Sequence, residues 1–264
     1  MSQTLHFSCT MCGKCCHDLR LPLSVDEAIG WLGNGGKVEC FCEAIPWPLE
    51  PAADDLPARH KRRRSFAARS GKLPVRVIVN LVASYEGACP FLQADLRCGV
   101  YETRPRVCRI YPAEVNPFVE LDPARKACPP EAWSPENRVL ARGGVIVDAQ
   151  IAALAAQSRE ADAQDASVKA ALCASLGIST AALSNEGFAI HSPDRDALYR
   201  ALRAARESGL RAADLHDEPD AMQWSFASNR APTRTVLEEI GANVTPLQDN
   251  ATNACRYLGF HADQ

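Results

Sequence analysis

Four cysteines within eight residues, Cys9-Thr-Met-Cys12-Gly-Lys-Cys15-Cys16, constrain this chain more than any other feature. A cysteine at every third position lets successive sulfurs turn around one centre, and Gly13 permits the tight turn that aims backbone N–H groups at sulfur. The chain holds twelve cysteines, of which ten lie in its first 128 residues. The N-terminus lacks the basic segment and apolar run of a secretory signal. No apolar stretch approaches the roughly 20 residues that span a bilayer. The expected compartment is therefore the cytoplasm, where thiols stay reduced, and clustered cysteines there point to metal rather than disulfides.

Cys9, Cys12 and Cys15 reproduce the spaced triplet that opens a [4Fe–4S] site in bacterial ferredoxins, whose remaining ligand is a remote cysteine followed by proline. Both Cys89-Pro90 and Cys128-Pro129 offer that remote ligand. Cys15 and Cys16 are adjacent, and neighbouring side chains diverge, so one faces a second ion or the two help to bridge a larger cluster. Cys9, Cys12, Cys15, Cys16, Cys89, Cys98, Cys108 and Cys128 make eight candidate ligands. Eight thiolates fill two four-coordinate centres with none left over. Arg104, Arg106 and Arg109 flank Cys108, either as donors that offset thiolate charge or as surface residues. His6 and His17 border the N-terminal motif as alternative ligands or plain polar neighbours. Cys40 and Cys42 are either accessory ligands or buried small residues, and Cys173 and Cys255 read as buried small residues.

Apolar residues make up 47% of the chain and charged residues 23%, as in ordinary globular domains. A net charge of −3 gives no basic field for nucleic acid, so no nucleic-acid or membrane partner is expected; any partner or substrate is a protein not otherwise defined. The basic run Lys61-Arg62-Arg63-Arg64 after His60 reads as a solvated loop or a short contact for phosphate or an acidic partner. Ser24 to Leu32 is expected to form a short helix capped by Ser24, with Asn34-Gly35-Gly36 breaking the chain after it. Residues 43–60, rich in proline and acids, read as an exposed loop. Val75 to Val82 reads as a strand. The proline-dense stretch from Gly87 to Pro135 is too broken for long elements, although Thr103-Arg104-Pro105 can open a short helix carrying Cys108. Beyond residue 136, helices are expected over Val145 to Arg159, over Ser167 to Leu176, from Ser192-Pro193-Asp194 with Ser192 as cap and Pro193 in the first turn, and over Thr233 to Ile240. The expected fold is thus predominantly α with irregular segments. It comprises a metal-stapled, cysteine-rich module over residues 1–135 and a mainly helical region over 136–264.

The motifs resemble those of the YkgJ-type cysteine-cluster proteins, a family described as zinc- or iron-chelating. The resemblance rests on Cys9 with Cys12-Gly13-Lys14-Cys15-Cys16, Cys89-Pro90-Phe91-Leu92, Cys98-Gly99-Val100-Tyr101, Arg104-Pro105-Arg106-Val107-Cys108-Arg109-Ile110-Tyr111-Pro112, and Cys128. It covers roughly residues 5–130 and omits the stretch between Cys16 and Cys89. It implies chelation of zinc or iron; with the ferredoxin-like triplet and the Cys-Pro pairs, the expected centre is iron–sulfur or zinc, with a structural or redox role. The same cluster resembles that of flagellin lysine N-methylases, which implies methyl transfer to a protein as an alternative; a zinc-structured interaction module is a third. No catalytic set stands out, and Gly33-Asn34-Gly35-Gly36 follows no convincing strand and is weak as a methyl-donor loop.

Overall fold

The computed structural model describes residues 4–209, 222–245 and 255–260. In chain order its first elements are β1 (Thr4–His6), β2 (Arg20–Leu23), α1 (Val25–Gly33), β3 (Val38–Pro46), α2 (Leu56–Arg63), β4 (Phe66–Ser70), β5 (Leu73–Ser84) and α3 (Arg106–Ile110). There follow β6 (Val139–Arg142), β7 (Val145–Ile146), α4 (Ala149–Gln164), α5 (Ala166–Leu176), β8 (Thr180–Leu183) and β9 (Gly187–His191). Last come α6 (Arg195–Gly209), β10 (Ser225–Ala227), α7 (Ala231–Glu239) and β11 (Cys255–Gly259). Two compact units share them. Unit 1 is Met1–Leu23 with Ala83–Ala161, and unit 2 is Ser24–Val82 with Asp162–Gln264. Each is discontinuous in sequence, and residue 135 lies inside the second stretch of unit 1.

Unit 1 carries a three-stranded antiparallel sheet, β1-β6-β7. Phe7, Ile110, Leu140, Ile151 and Leu154 form its core, with Trp133 and the partly buried Cys128 packed against it. The segment between β5 and β6 is built from single turns. Besides α3 it holds 3-10 turns at Tyr101–Thr103, Pro123–Arg125 and Pro130–Trp133. Proline fixes φ and removes donors, so these turns satisfy few of their own backbone groups.

Unit 2 is an α/β unit. Its sheet runs β10-β8-β3-β5, with β4 on β5, β9 on β3 and β11 on β9. β10 and β3 both run parallel to β8, whereas the β9, β11 and β4 pairings are antiparallel. β5 is apolar over nearly its whole length and buried on both faces, the pattern of a central strand. α1 starts in a reciprocal cap: the Glu27 N–H donates to Ser24 Oγ at 3.3 Å and the Ser24 N–H to Glu27 Oε2 at 2.9 Å. α6 starts at Asp194, whose carboxylate accepts from the N–H groups of Asp196 at 3.1 Å and Ala197 at 2.9 Å. It buries Leu198, Leu202 and Ala205, at helical spacing.

The fold is therefore α/β, and the expectation of a predominantly α chain is overturned. The missed strands carry little of the β-branched alternation that marks a strand. β8 reads Thr-Ala-Ala-Leu and β9 Gly-Phe-Ala-Ile-His. The expected loop over 43–60 is also corrected: β3 runs on to Pro46, and α2 carries the basic run. The expected helix from Val145 starts instead at Ala149, because Val145 and Ile146 pair with β6. Among the described residues no helix is long and apolar enough to cross a membrane.

Candidate metal centre

All eight candidate ligands belong to unit 1. Gly13 adopts φ 68°, a left-handed conformation that turns the chain into the single 3-10 turn Lys14–Cys16. That turn closes as the Cys16 N–H donates to the Gly13 carbonyl at 2.9 Å. A ladder then ties the motif to a distant segment. The Cys89 N–H donates to the Cys16 carbonyl at 2.7 Å, and the Asp18 N–H to the Gly87 carbonyl at 2.8 Å. Beyond Cys89 the chain folds back, with Leu92 bridged to Cys98 and the Gly99 N–H donating to the Phe91 carbonyl at 2.7 Å. Cys108 rides on α3. On the other side, the Ser8 N–H donates to the Ala132 carbonyl at 2.9 Å, which brings the start of the motif beside the turn that follows Cys128.

The thiols act on one another across the motif and the segments tied to it. Burial pushes the Cys16 thiol up to about 12, and Cys15, Cys89 and Cys98 add to the rise. Burial likewise pushes Cys108 to about 12, with Cys16, Cys89 and Cys15 adding and Arg104 opposing. The Cys128 thiol is raised by burial, eased by a hydrogen bond with Tyr111, and raised again by Cys12 and Cys9. Cys15 is raised by burial, eased by contact with Cys16, and raised by Cys128, Cys9 and Cys12. Cys9 and Cys12 thus act on both Cys15 and Cys128, Cys89 acts on both Cys16 and Cys108, and Cys98 acts on Cys16, while Cys15 acts on Cys16 and Cys108 as well, so the two groups overlap there. All twelve cysteines are free thiols. Among the described residues no three His, Cys, Asp or Glu donors stand close enough to share one ion without moving.

The surroundings suit a thiolate-bound cation. Repulsion among closely set thiolates, together with burial, opposes ionisation, and a cation would remove that penalty. Arg104 supplies a second sign: it stacks over Tyr101 at 3.8 Å, its charge favours the Cys108 thiolate, and its buried Nε lacks a hydrogen-bond partner. A metal-bound sulfur is the acceptor such an N–H seeks. Two tyrosines that no spacing argument had singled out also take part. Tyr85 is raised by burial and by its contacts with Cys89, Cys108 and Cys16. Tyr111 accepts from the Ala127 N–H at 3.0 Å and contacts Cys128. Tyr111 lies inside the motif Arg104 to Pro112, whereas Tyr85 lies outside every motif of the sequence.

Other candidates have different partners. His6 Nδ1 lies 2.7 Å from the Asn137 carbonyl and His17 Nδ1 3.1 Å from the Gly13 carbonyl, so both rings are engaged with backbone. Arg106 donates to Ser158 at 3.3 Å. In the basic run, Arg62 pairs with Glu50 at 3.0 Å and Lys61 reaches Ser184 and Asn185. Gly33, Asn34 and Gly35 form the end of α1. Cys40, Cys42, Cys173 and Cys255 belong to unit 2.

No curated protein and no solved structure matches the chain. Residues 8–129 match the CxxCxxCC family, whose description is "Putative zinc- or iron-chelating domain". The match spans the residues that carry the resemblance, from Cys9 to Cys128.

Proposed function

We propose that the chain binds two metal centres side by side in unit 1, one held by Cys9, Cys12, Cys15 and Cys128 and the other by Cys16, Cys89, Cys98 and Cys108, and that both are iron–sulfur clusters. What supports this reading is that Cys15 and Cys128 are each raised by Cys9 and Cys12, while Cys16 and Cys108 are each raised by Cys89. The first set joins the spaced triplet to a cysteine followed by proline, the ligand pattern of a [4Fe–4S] site. Arg104 near Cys108 and Lys126 near Cys128 supply positive charge beside centres that are anionic once bound. Bound clusters would supply one-electron redox chemistry and would also staple turns that have little regular structure of their own.

Anaerobic purification with metal and acid-labile sulfide analysis tests the proposal. A brown protein with iron and sulfide in equal amounts is expected. A colourless protein with about two zinc ions per chain and no sulfide would retain the thiolate sets and overturn the iron–sulfur assignment. A chain without metal would overturn both. Cys128→Ser and Cys98→Ser test the partition: each should deplete its own centre and spare the other.

A further inference from the structure

The four cysteines outside unit 1 lie near one another. β3 is extended, so Cys40 and Cys42, two residues apart, project from the same face of the sheet. Directly across from Cys40 on β9 stands His191, and directly across from His191 on β11 stands Cys255. Paired residues share a face, so Cys40, His191 and Cys255 form a row over three strands with Cys42 beside it. Cys255 Sγ lies 3.8 Å from His191 Nε2, which also lies 2.8 Å from the Thr180 carbonyl. α5 brings the remaining sulfur, with the Cys42 and Cys173 thiols within hydrogen-bonding reach of each other. Cys40, Cys42 and Cys173 are 0% exposed.

Buried cysteines are often small apolar filler. Two features separate this group from filler. These thiols come from two strands and a helix far apart in sequence, and they are all the cysteines that unit 2 contains. The same layer also holds polar groups that filler does not need. Lys169, one helical turn before Cys173, is 2% exposed and ion-paired to Asp162 at 2.5 Å. Burial pushes the Cys40 thiol well up and Cys173 and Glu39 add to it, whereas the Lys169 charge opposes.

We propose that Cys40, Cys42, Cys173 and Cys255 form a third thiolate site, for a thiophilic divalent cation of the Zn²⁺ or Cd²⁺ class, with His191 beside it. Binding releases the thiol protons to solvent, and four thiolates around a divalent ion leave a net charge of about −2, partly offset by Lys169. No three of these donors meet at one point as they stand, and binding would require their side chains to rotate toward one another.

The test is cadmium loading of the full chain, read by ¹¹³Cd NMR and by cadmium content. The wild-type chain should show a thiolate-bound resonance that Cys42→Ala with Cys173→Ala abolishes, with loss of one cadmium per chain. Cys108→Ser should leave that resonance in place, which separates this site from those of unit 1. If the double variant does not fold by circular dichroism, Cys255→Ala at the half-buried edge should weaken the same resonance. Unchanged cadmium content and spectrum in a folded variant would overturn the proposal, as would a Cys42–Cys173 disulfide mapped in the anaerobically prepared wild type.

Discussion

Asp162 gives unit 2 one pH-dependent contribution to its stability. It receives Lys169 Nζ at 2.5 Å and Arg64 Nε at 2.6 Å, and Arg64 also donates to Asn80 at 2.6 Å. Burial opposes its charge, but Lys169 and Arg64 outweigh burial and hold the carboxyl below the usual carboxylate range. A depressed carboxylate contributes stability that is present above its unfolded value, about 3.9, and is lost as pH falls through its folded value. The denaturant midpoint should therefore lose this contribution only below about pH 4. Asp162→Asn should flatten that acid limb. At neutral pH it should also cost about 3–5 kcal/mol, because the buried Lys169 loses its ion-pair partner. An unchanged midpoint at neutral pH would show that Lys169 finds another partner. Arg104 gives a parallel test in unit 1: Arg104→Gln should weaken metal retention by about 10- to 100-fold in chelator competition, as loss of a group that orients a ligand does.

At the scale of the element, the turn at Gly13 decides whether the N-terminal motif can close. A Cβ there would sit 3.2 Å from Leu96 Cβ and 3.3 Å from the Leu96 carbonyl oxygen, on a backbone at φ 68°. Gly13→Ala should cost about 1–2 kcal/mol for the left-handed conformation alone, before any contact with Leu96 gives way. Its metal content should fall relative to Gly87→Ala, another positive-φ glycine whose Cβ meets nothing within 4 Å. Equal metal content in the two variants would remove the turn from the argument. What could be read beforehand follows the same local logic. α1 was legible because Ser24 and Glu27 form a cap within four residues, and the end of α5 because Gly177 takes φ 65°. β8, β9 and β11 were not, because their short, alanine- and glycine-containing segments become strands only through partners far along the chain. The cysteine motif was legible as chemistry, but which thiols face each other depends on the Cys16–Cys89 ladder and the Ser8–Ala132 bond, neither of which has a local signature.

On the scale of the whole molecule, the chain leaves unit 1 after Leu23, builds part of unit 2, and returns at Ala83. The two units depend on different forces. Unit 2 has a sheet whose β5 core, from Val77 to Val79, is almost fully buried, so hydrophobic burial and ladder hydrogen bonds sustain it. The cysteine-bearing part of unit 1 runs instead through isolated turns and a five-residue helix. Segments of that kind bury little and have low local stability, so bound metal should supply much of their folding free energy. Removing metal anaerobically with a strong chelator should therefore speed amide exchange from Ala88 to Ala132 while β5 and β9 stay protected. Reloading should restore the slow exchange. Uniform loss of protection across both units would mean that metal stabilises the chain as a single cooperative body, and unchanged exchange from Ala88 to Ala132 would mean that these turns stand without it.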